Sequence, residues 1–288
     1  YSDMQRIWDM YHTKAHINLI VCGSIFSMMT KIFKDKKEPL YNRQTRFMSI
    51  KPFTPAVLKE IMAEYNPNYT SEDLLALYSF TGGVAKYVQL LVDAGATTKT
   101  KMLNHIIKAD SVFLGEGKAI LIEEFGKDYG VYFSILSAIA RGKTLRSEIE
   151  QIVGREIGGY LTKLEKEYEV ITKNQPIFEK SSTKNVRYTI EDNFFTFWFR
   201  FIYKYNYMLE IENYDAVKTI INRDYETFSG KMLERYFKRV LMESKAYTRI
   251  GSWWDRKGEN EIDIVAENEL NDEAVFIEVK RKEDNFDA

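Results

Sequence analysis

The chain has 288 residues, a formal net charge of -1 and 45% hydrophobic residues, enough for two or three domains with real cores. The near-neutral balance excludes a protein held on nucleic acid by overall charge, so any such contact must be a local patch. Cys22 is the only cysteine, which excludes a disulfide framework and suits a reducing, cytoplasmic setting, and no signal-peptide pattern opens the chain.

Residues Ser2 to Tyr11 read as a helix. Ile17 to Ser24 is a short, strongly apolar run closing on Gly23-Ser24, which predicts a buried parallel strand. Ser24 would cap a following helix that carries Phe26, Met28, Met29, Ile32 and Phe33. A polar residue at the carboxyl end of such a strand lies where open α/β sheets bind ligands. His12 and His16 share a helix face, but a metal site needs further ligands. Ser71 to Val92 reads as two helices broken at Gly82-Gly83, and Lys101 to Glu124 as further helix.

From Tyr129 the pattern changes. Three helical stretches (Val131 to Ala140, one after Thr144, Ile157 to Tyr168) precede two short strands at Val170 and at Val186 to Ile190. Three helices followed by a β-hairpin predict a winged helix. Lys163 and Lys166 on the third helix, with Lys180, Lys184 and Arg187 on the wing, are the candidate DNA contacts. Glu156, Glu165 and Glu167 leave the third helix close to neutral, so DNA contact and a packing or protein-binding role both stay open. Phe194 to Tyr203 is the most apolar stretch. It is too short to span a bilayer and predicts a buried helix, since dense aromatics mean core more often than a base-stacking platform.

Near the end of the chain, Glu234 falls on a helical stretch. Residues Ile262 to Ala266 and Val275 to Val279 then read as two strands joined by an acidic, turn-rich loop. Pairing them brings Asp263 beside Glu278, and Glu278 shares a strand face with Lys280. Carboxylates gathered at one point attract a hard cation such as magnesium or manganese, and a neighbouring lysine can position or activate a metal-bound water. A surface hairpin whose charges face water is the competing reading of the same residues.

A helix acid, an Asp on one strand and Glu-x-Lys on the next resemble the PD-(D/E)xK nuclease fold. Glu261-Ile262-Asp263-Ile264-Val265 is similar to its resolvase-type branch, with Ile262 where the family name has Pro. The resemblance implies that Glu234, Asp263 and Glu278 are metal ligands and that Lys280 positions the attacking water.

The N-terminal part resembles archaeal-type ATPases of the AAA+ and STAND kind, through Cys22-Gly23-Ser24, Met28-Met29, Pro39 to Arg43 and Ile50 to Phe53. That resemblance implies a phosphate-sensing role for Ser24, and for Arg43 and Arg46 a place near nucleotide or a neighbouring subunit, hence self-association. Thr81 to Tyr87 is similar to the family's lid motif, with Ala85 where Pro is usual. Tyr188 to Phe201 resembles the junction of those ATPases to a C-terminal domain of unknown function. No G-x-x-x-x-G-K-[ST] loop occurs, and no apolar strand ends in Asp-Glu before Ser24. ATP is the ligand of the resembled family, yet this sequence is expected neither to bind it well nor to hydrolyse it, and is expected to be a piece of a longer protein.

The expected architecture is α/β and multidomain. Residues 1–50 would be the end of a P-loop ATPase core, 51–124 a helical lid and 125–192 a winged helix. An aromatic helical linker (193–227) and a nuclease-like α/β module (228–288) would follow. The expected function is handling of DNA, ending in a metal-dependent nuclease-like module and with no membrane partner. The alternative is a STAND-like regulatory or scaffold ATPase whose nuclease-like domain is inactive and binds a partner.

Overall fold

The computed structural model describes residues 1–16, 18–23, 26–180 and 184–282. It opens with α1 (Ser2–Tyr11) and α2 (Phe26–Lys34), tied by a small cluster in which Met4 and Met29 pack on Ile32, Phe33 and Leu40. Thr54 then accepts the Val57 N–H at 3.3 Å and Pro55 takes the first helical position, which starts α3 (Pro55–Tyr65). A capping box between Thr70 and Asp73 starts α4 (Ser71–Thr81), and Gly82, at φ +61°, ends it. Gly83 accepts the Phe53 N–H at 2.7 Å; a Cβ there would lie 2.4 Å from the Phe53 carbonyl oxygen, so only glycine fits. The helices α5 (Ala85–Asp93), α6 (Lys99–Ile106) and α7 (Val112–Phe125) complete this helical part.

Three helices and an antiparallel pair follow in the order read from the sequence. α8 (Tyr129–Ala140), α9 (Arg146–Val153) and α10 (Gly158–Lys166) lead into the antiparallel pair β1 (Ile171–Asn174) and β2 (Arg187–Ile190), with Ile171 opposite Ile190. Asp192 then accepts the Phe195 N–H at 3.0 Å and caps α11 (Asn193–Phe197), which runs on as a π-helical turn, Trp198–Tyr203. Phe194, Phe197, Trp198, Phe199, Phe201 and Ile202 are all buried, so this stretch is core. A Cβ on Gly117 would meet the Trp198 ring at 2.4 Å, and that missing side chain lets α7 approach the indole. One apolar core runs from Leu58 to Met232 through all these elements.

After α12 (Asn206–Glu210), a 31-residue helix, α13 (Tyr214–Ser244), runs unbroken past residue 228, where a boundary was expected. It supports a three-stranded antiparallel sheet of β3 (Arg249–Trp254), β4 (Glu261–Asn268) and β5 (Glu273–Ile277), in that order. β3 was not foreseen: Trp253-Trp254 and the flanking Gly and Ser do not alternate cleanly.

The chain is thus mixed α/β, with helices dominant and two small antiparallel sheets. Among the described residues, the expected parallel strand does not form. Residues 18–23 carry no strand, and Leu19, Ile20 and Val21 are exposed. A parallel strand needs neighbours to take its N–H and C=O groups, and no strand among the described residues lies beside it. Among the described residues, no helix is long and apolar enough to cross a membrane.

Candidate functional site

Three elements converge at one end of the C-terminal sheet. The long helix α13 brings Glu234, β4 brings Asp263, and Glu278 and Lys280 follow directly on β5. Ile264 pairs with Ile277, so extending the antiparallel register by one residue sets Asp263 opposite Glu278. The Val279 N–H donates to Asp263 Oδ2 at 2.8 Å and closes that end. Lys280 pairs with Glu278; this bond chiefly raises the lysine pKa, and Asp263 and Glu234 add to the effect. Burial, and then the like charge of Asp263, push the Glu234 carboxyl up, while Lys231 pulls it the other way. The residues predicted from spacing therefore share one neighbourhood.

They do not form a metal-ligand set as placed. Among the described residues, no group of three or more His, Cys, Asp or Glu could hold a metal ion. A hard divalent ion needs several oxygens aimed at one point, and here each carboxylate already has another partner. Glu234 Oε1 lies 3.1 Å from Lys231 Nζ, Glu278 is taken by Lys280, and Asp263 by the Val279 amide. Lys231 was overlooked in the sequence, although its place one helical turn before Glu234 marks an i,i+3 pair.

The wing lies against β3 of this sheet. Ile177 N–H donates to the Ser252 carbonyl at 2.8 Å, and Trp254 Nε1 donates to Asn185 Oδ1 at 2.9 Å. Arg187 Nη1 donates to Glu261 Oε2 at 2.8 Å, and its guanidinium sits 4.5 Å from the Trp254 ring centre. The charge of Arg187, a candidate DNA contact, is thus paired and its planar face stacked within the chain, with the side chain 24% exposed. Lys180 and Lys184 remain exposed on the wing, as do Lys163 and Lys166 on α10.

The nucleotide-sensing residues are not gathered either. Arg43 makes a two-pronged pair with Asp9, at 2.8 and 2.9 Å, and donates to the Pro39 and Tyr41 carbonyls. The donors of Arg43 are thus engaged within the chain. Arg46 is exposed, and Ser24 lies outside the described residues. His12 Nδ1 lies 2.9 Å from the Trp8 carbonyl and its ring stacks on Trp8, a local contact and not part of a metal pair.

A second anchor joins the end of the sheet to the helical body. Arg281 bonds to Ser229 of α13 and lies 2.5 Å from Glu72 of α4, beside the Tyr225 ring. Because Arg281 follows Lys280 directly, this anchor fixes where the lysine emerges.

Residues 198–288 match the family model DUF234, described as archaea bacterial proteins of unknown function. An uncharacterized protein of Methanocaldococcus jannaschii is 33% identical over 297 aligned positions, which cover 98% of this chain. The chain spans 64% of that relative's length. No solved structure matches.

Proposed function

We propose that the chain is part of a DNA-handling protein related to AAA+ ATPases, and that its C-terminal sheet is a nuclease-like module of the PD-(D/E)xK kind. The observation that carries this reading is the gathering of Glu234, Asp263, Glu278 and Lys280 from a helix and two paired strands. The element order, helix then three antiparallel strands ending in Glu-x-Lys, supports it too. In this reading magnesium or manganese is the cofactor and DNA the substrate. Nucleotide binding belongs with Walker motifs that this sequence does not contain, and self-association would run through the ATPase region.

A second reading is favoured by a separate observation. The carboxylates are held by the chain's own lysines and amide, and Arg187 is paired with Glu261. A STAND-like regulatory or scaffold protein, with an inactive nuclease-like module that docks a partner, would look the same.

Incubation of the full chain with duplex, single-stranded and branched DNA in manganese separates the two. The nuclease reading expects cleavage that Asp263→Asn abolishes while the fold, followed by circular dichroism, is kept. Intact DNA in every arm, together with an unchanged melting temperature on adding manganese, leaves the regulatory reading alone.

A further inference from the structure

The wing is fastened to β3 along its length. Ile177 N–H donates to the Ser252 carbonyl at 2.8 Å, and the Ile177 side chain is buried against the bare backbone of Gly251. At the far end Trp254 Nε1 donates to Asn185. A tight turn surrounds Ile177, closed by the Glu179 N–H on the Pro176 carbonyl at 3.2 Å. Seating Ile177 inside that turn throws the next residue outward: Phe178 takes φ +72° and stays 54% exposed. The left-handed region costs a bulky residue free energy, and such strain persists only where the surroundings impose it. The ring is also steadied. The Arg249 guanidinium lies 5.6 Å from its centre, and Arg249 is held by Glu267 and Glu269 at 3.6 and 3.1 Å.

Unpaired cations line the same seam. Among the described residues, Lys180, Lys184, Arg256 and Lys257 are exposed and make no ion pair. Lys184 precedes Asn185, and Arg256 and Lys257 follow Trp254, so the Asn185–Trp254 bond brings these cations to one end of the seam. The acids beside them are partly spent. Glu261 is paired with Arg187, and Asp255 accepts from the Glu259 and Asn260 amides at 2.9 and 3.2 Å. That leaves Glu179 and Glu259 set against the unpaired lysines and arginine. From Arg249 to Trp254 the seam follows the 6 residues of β3, about 17 Å at the rise of a strand. That is the length of roughly five nucleotides at their stacked spacing. The aromatic helix α11 is buried and has no ring to offer a base; the wing has one in Phe178.

We propose that this seam is a binding strip for single-stranded nucleic acid, in which Phe178 stacks on a base and Lys184, Arg256 and Lys257 meet the backbone phosphates. An exposed ring with cations along the same strip suits any base sequence, since every base has a face to stack and every link carries a phosphate. The strained backbone at Phe178 is what holds the ring out in solvent, ready for a base. This inference rests on the DNA-handling reading and names the form of nucleic acid that it would hold. Phe178, Arg256 and Lys257 are additions to the candidate contacts read from the sequence.

The test is the fluorescence anisotropy of a labelled oligothymidine titrated with the full chain, without divalent metal. Phe178→Ala should weaken binding at least about fivefold and leave its salt dependence unchanged. Phe178→Gly should weaken binding equally without lowering the melting temperature, because glycine takes φ +72° free of strain. Replacing Lys184, Arg256 and Lys257 together by Ala should flatten the slope of log affinity against log salt by about two. Full affinity in all these variants, with a loss on replacing Lys163 and Lys166 by Ala, would overturn the strip and keep the DNA-handling reading. A melting temperature lowered by Phe178→Gly would make Phe178 a packing residue and overturn its stacking role. A parent chain that binds neither single-stranded nor duplex DNA at low salt would overturn both.

Discussion

Two strongly apolar runs of this sequence end in opposite places. Phe194 to Ile202 lies at the centre of the main core, with Phe197 and Phe199 fully buried. Leu19, Ile20 and Val21 lie in the open, at 51%, 81% and 45% exposure. The difference is in how each run satisfies its backbone. The aromatic run is helical, so its N–H and C=O groups pair within the segment, and only side chains have to find neighbours. The second run reads as a strand, and a strand is completed only by other strands. Apolarity alone predicted burial for both; the supply of hydrogen-bond partners separates them.

The largest break in this comparison comes from the aromatic run. Phe197 touches Phe80, Phe201 and Phe228, which belong to α4, the π-turn and α13. Phe197→Ala should destabilise the chain by about 3–5 kcal/mol, the usual cost of emptying a large aromatic site. Urea denaturation checks it. A loss below about 1 kcal/mol would show that the run is not the keystone of the core.

The same contrast explains what could be read from the sequence. The helices on either side of the Gly82-Gly83 break were legible, because that signal acts within a few residues; the caps at Thr54-Pro55 and at Thr70 with Asp73 are just as local but were passed over. The β4–β5 hairpin was legible too, because its alternation and its acidic loop fix the register that sets Asp263 opposite Glu278. What stayed hidden depends on contacts between distant segments. Arg43 looked free for nucleotide until Asp9, 34 residues away, was seen to hold it. Arg187 looked free for DNA until Glu261, 74 residues away, did the same. A lone cation in a sequence carries no sign of which carboxylate it will meet. β3 was missed because its pattern does not alternate cleanly and several of its contacts come from the wing, through Ile177, Asn185 and Arg187.

An intermediate effect is expected at the start of the aromatic run. Asp192 caps α11, and burial pushes its carboxyl up to about 6 from an ordinary 3.8, with the Phe195 and Phe194 N–H groups and Arg235 pulling the other way. The folded state therefore holds the proton more tightly than the unfolded one. The stability this gives is fully present below pH about 3.8 and is lost as the pH rises through about 6. Asp192→Asn keeps a capping oxygen without the charge. It should be more stable than the parent at neutral pH by about 1–2 kcal/mol, and flatter between pH 4 and 6. Melting temperatures across that window check it; parallel curves for parent and variant would mean that Asp192 stays ionised throughout, its charge met by Arg235.

The smallest effect belongs to the other run, and it sharpens the comparison most. Ile20 is 81% exposed and its segment has no strand beside it among the described residues. Its side chain therefore stays largely in water on folding, and burial contributes in proportion to the area removed from water. Ile20→Ser should change the stability of the chain by no more than about 0.5 kcal/mol, the range of ordinary surface positions. Its solubility should rise, because an exposed β-branched run invites strand pairing between molecules. The measurement is a urea melt alongside light scattering at rising protein concentration. A melt displaced as far as that of Phe197→Ala would mean that this run, too, is buried in solution. The difference between the two runs would then lie in what covers them, and no longer in how their backbones are satisfied.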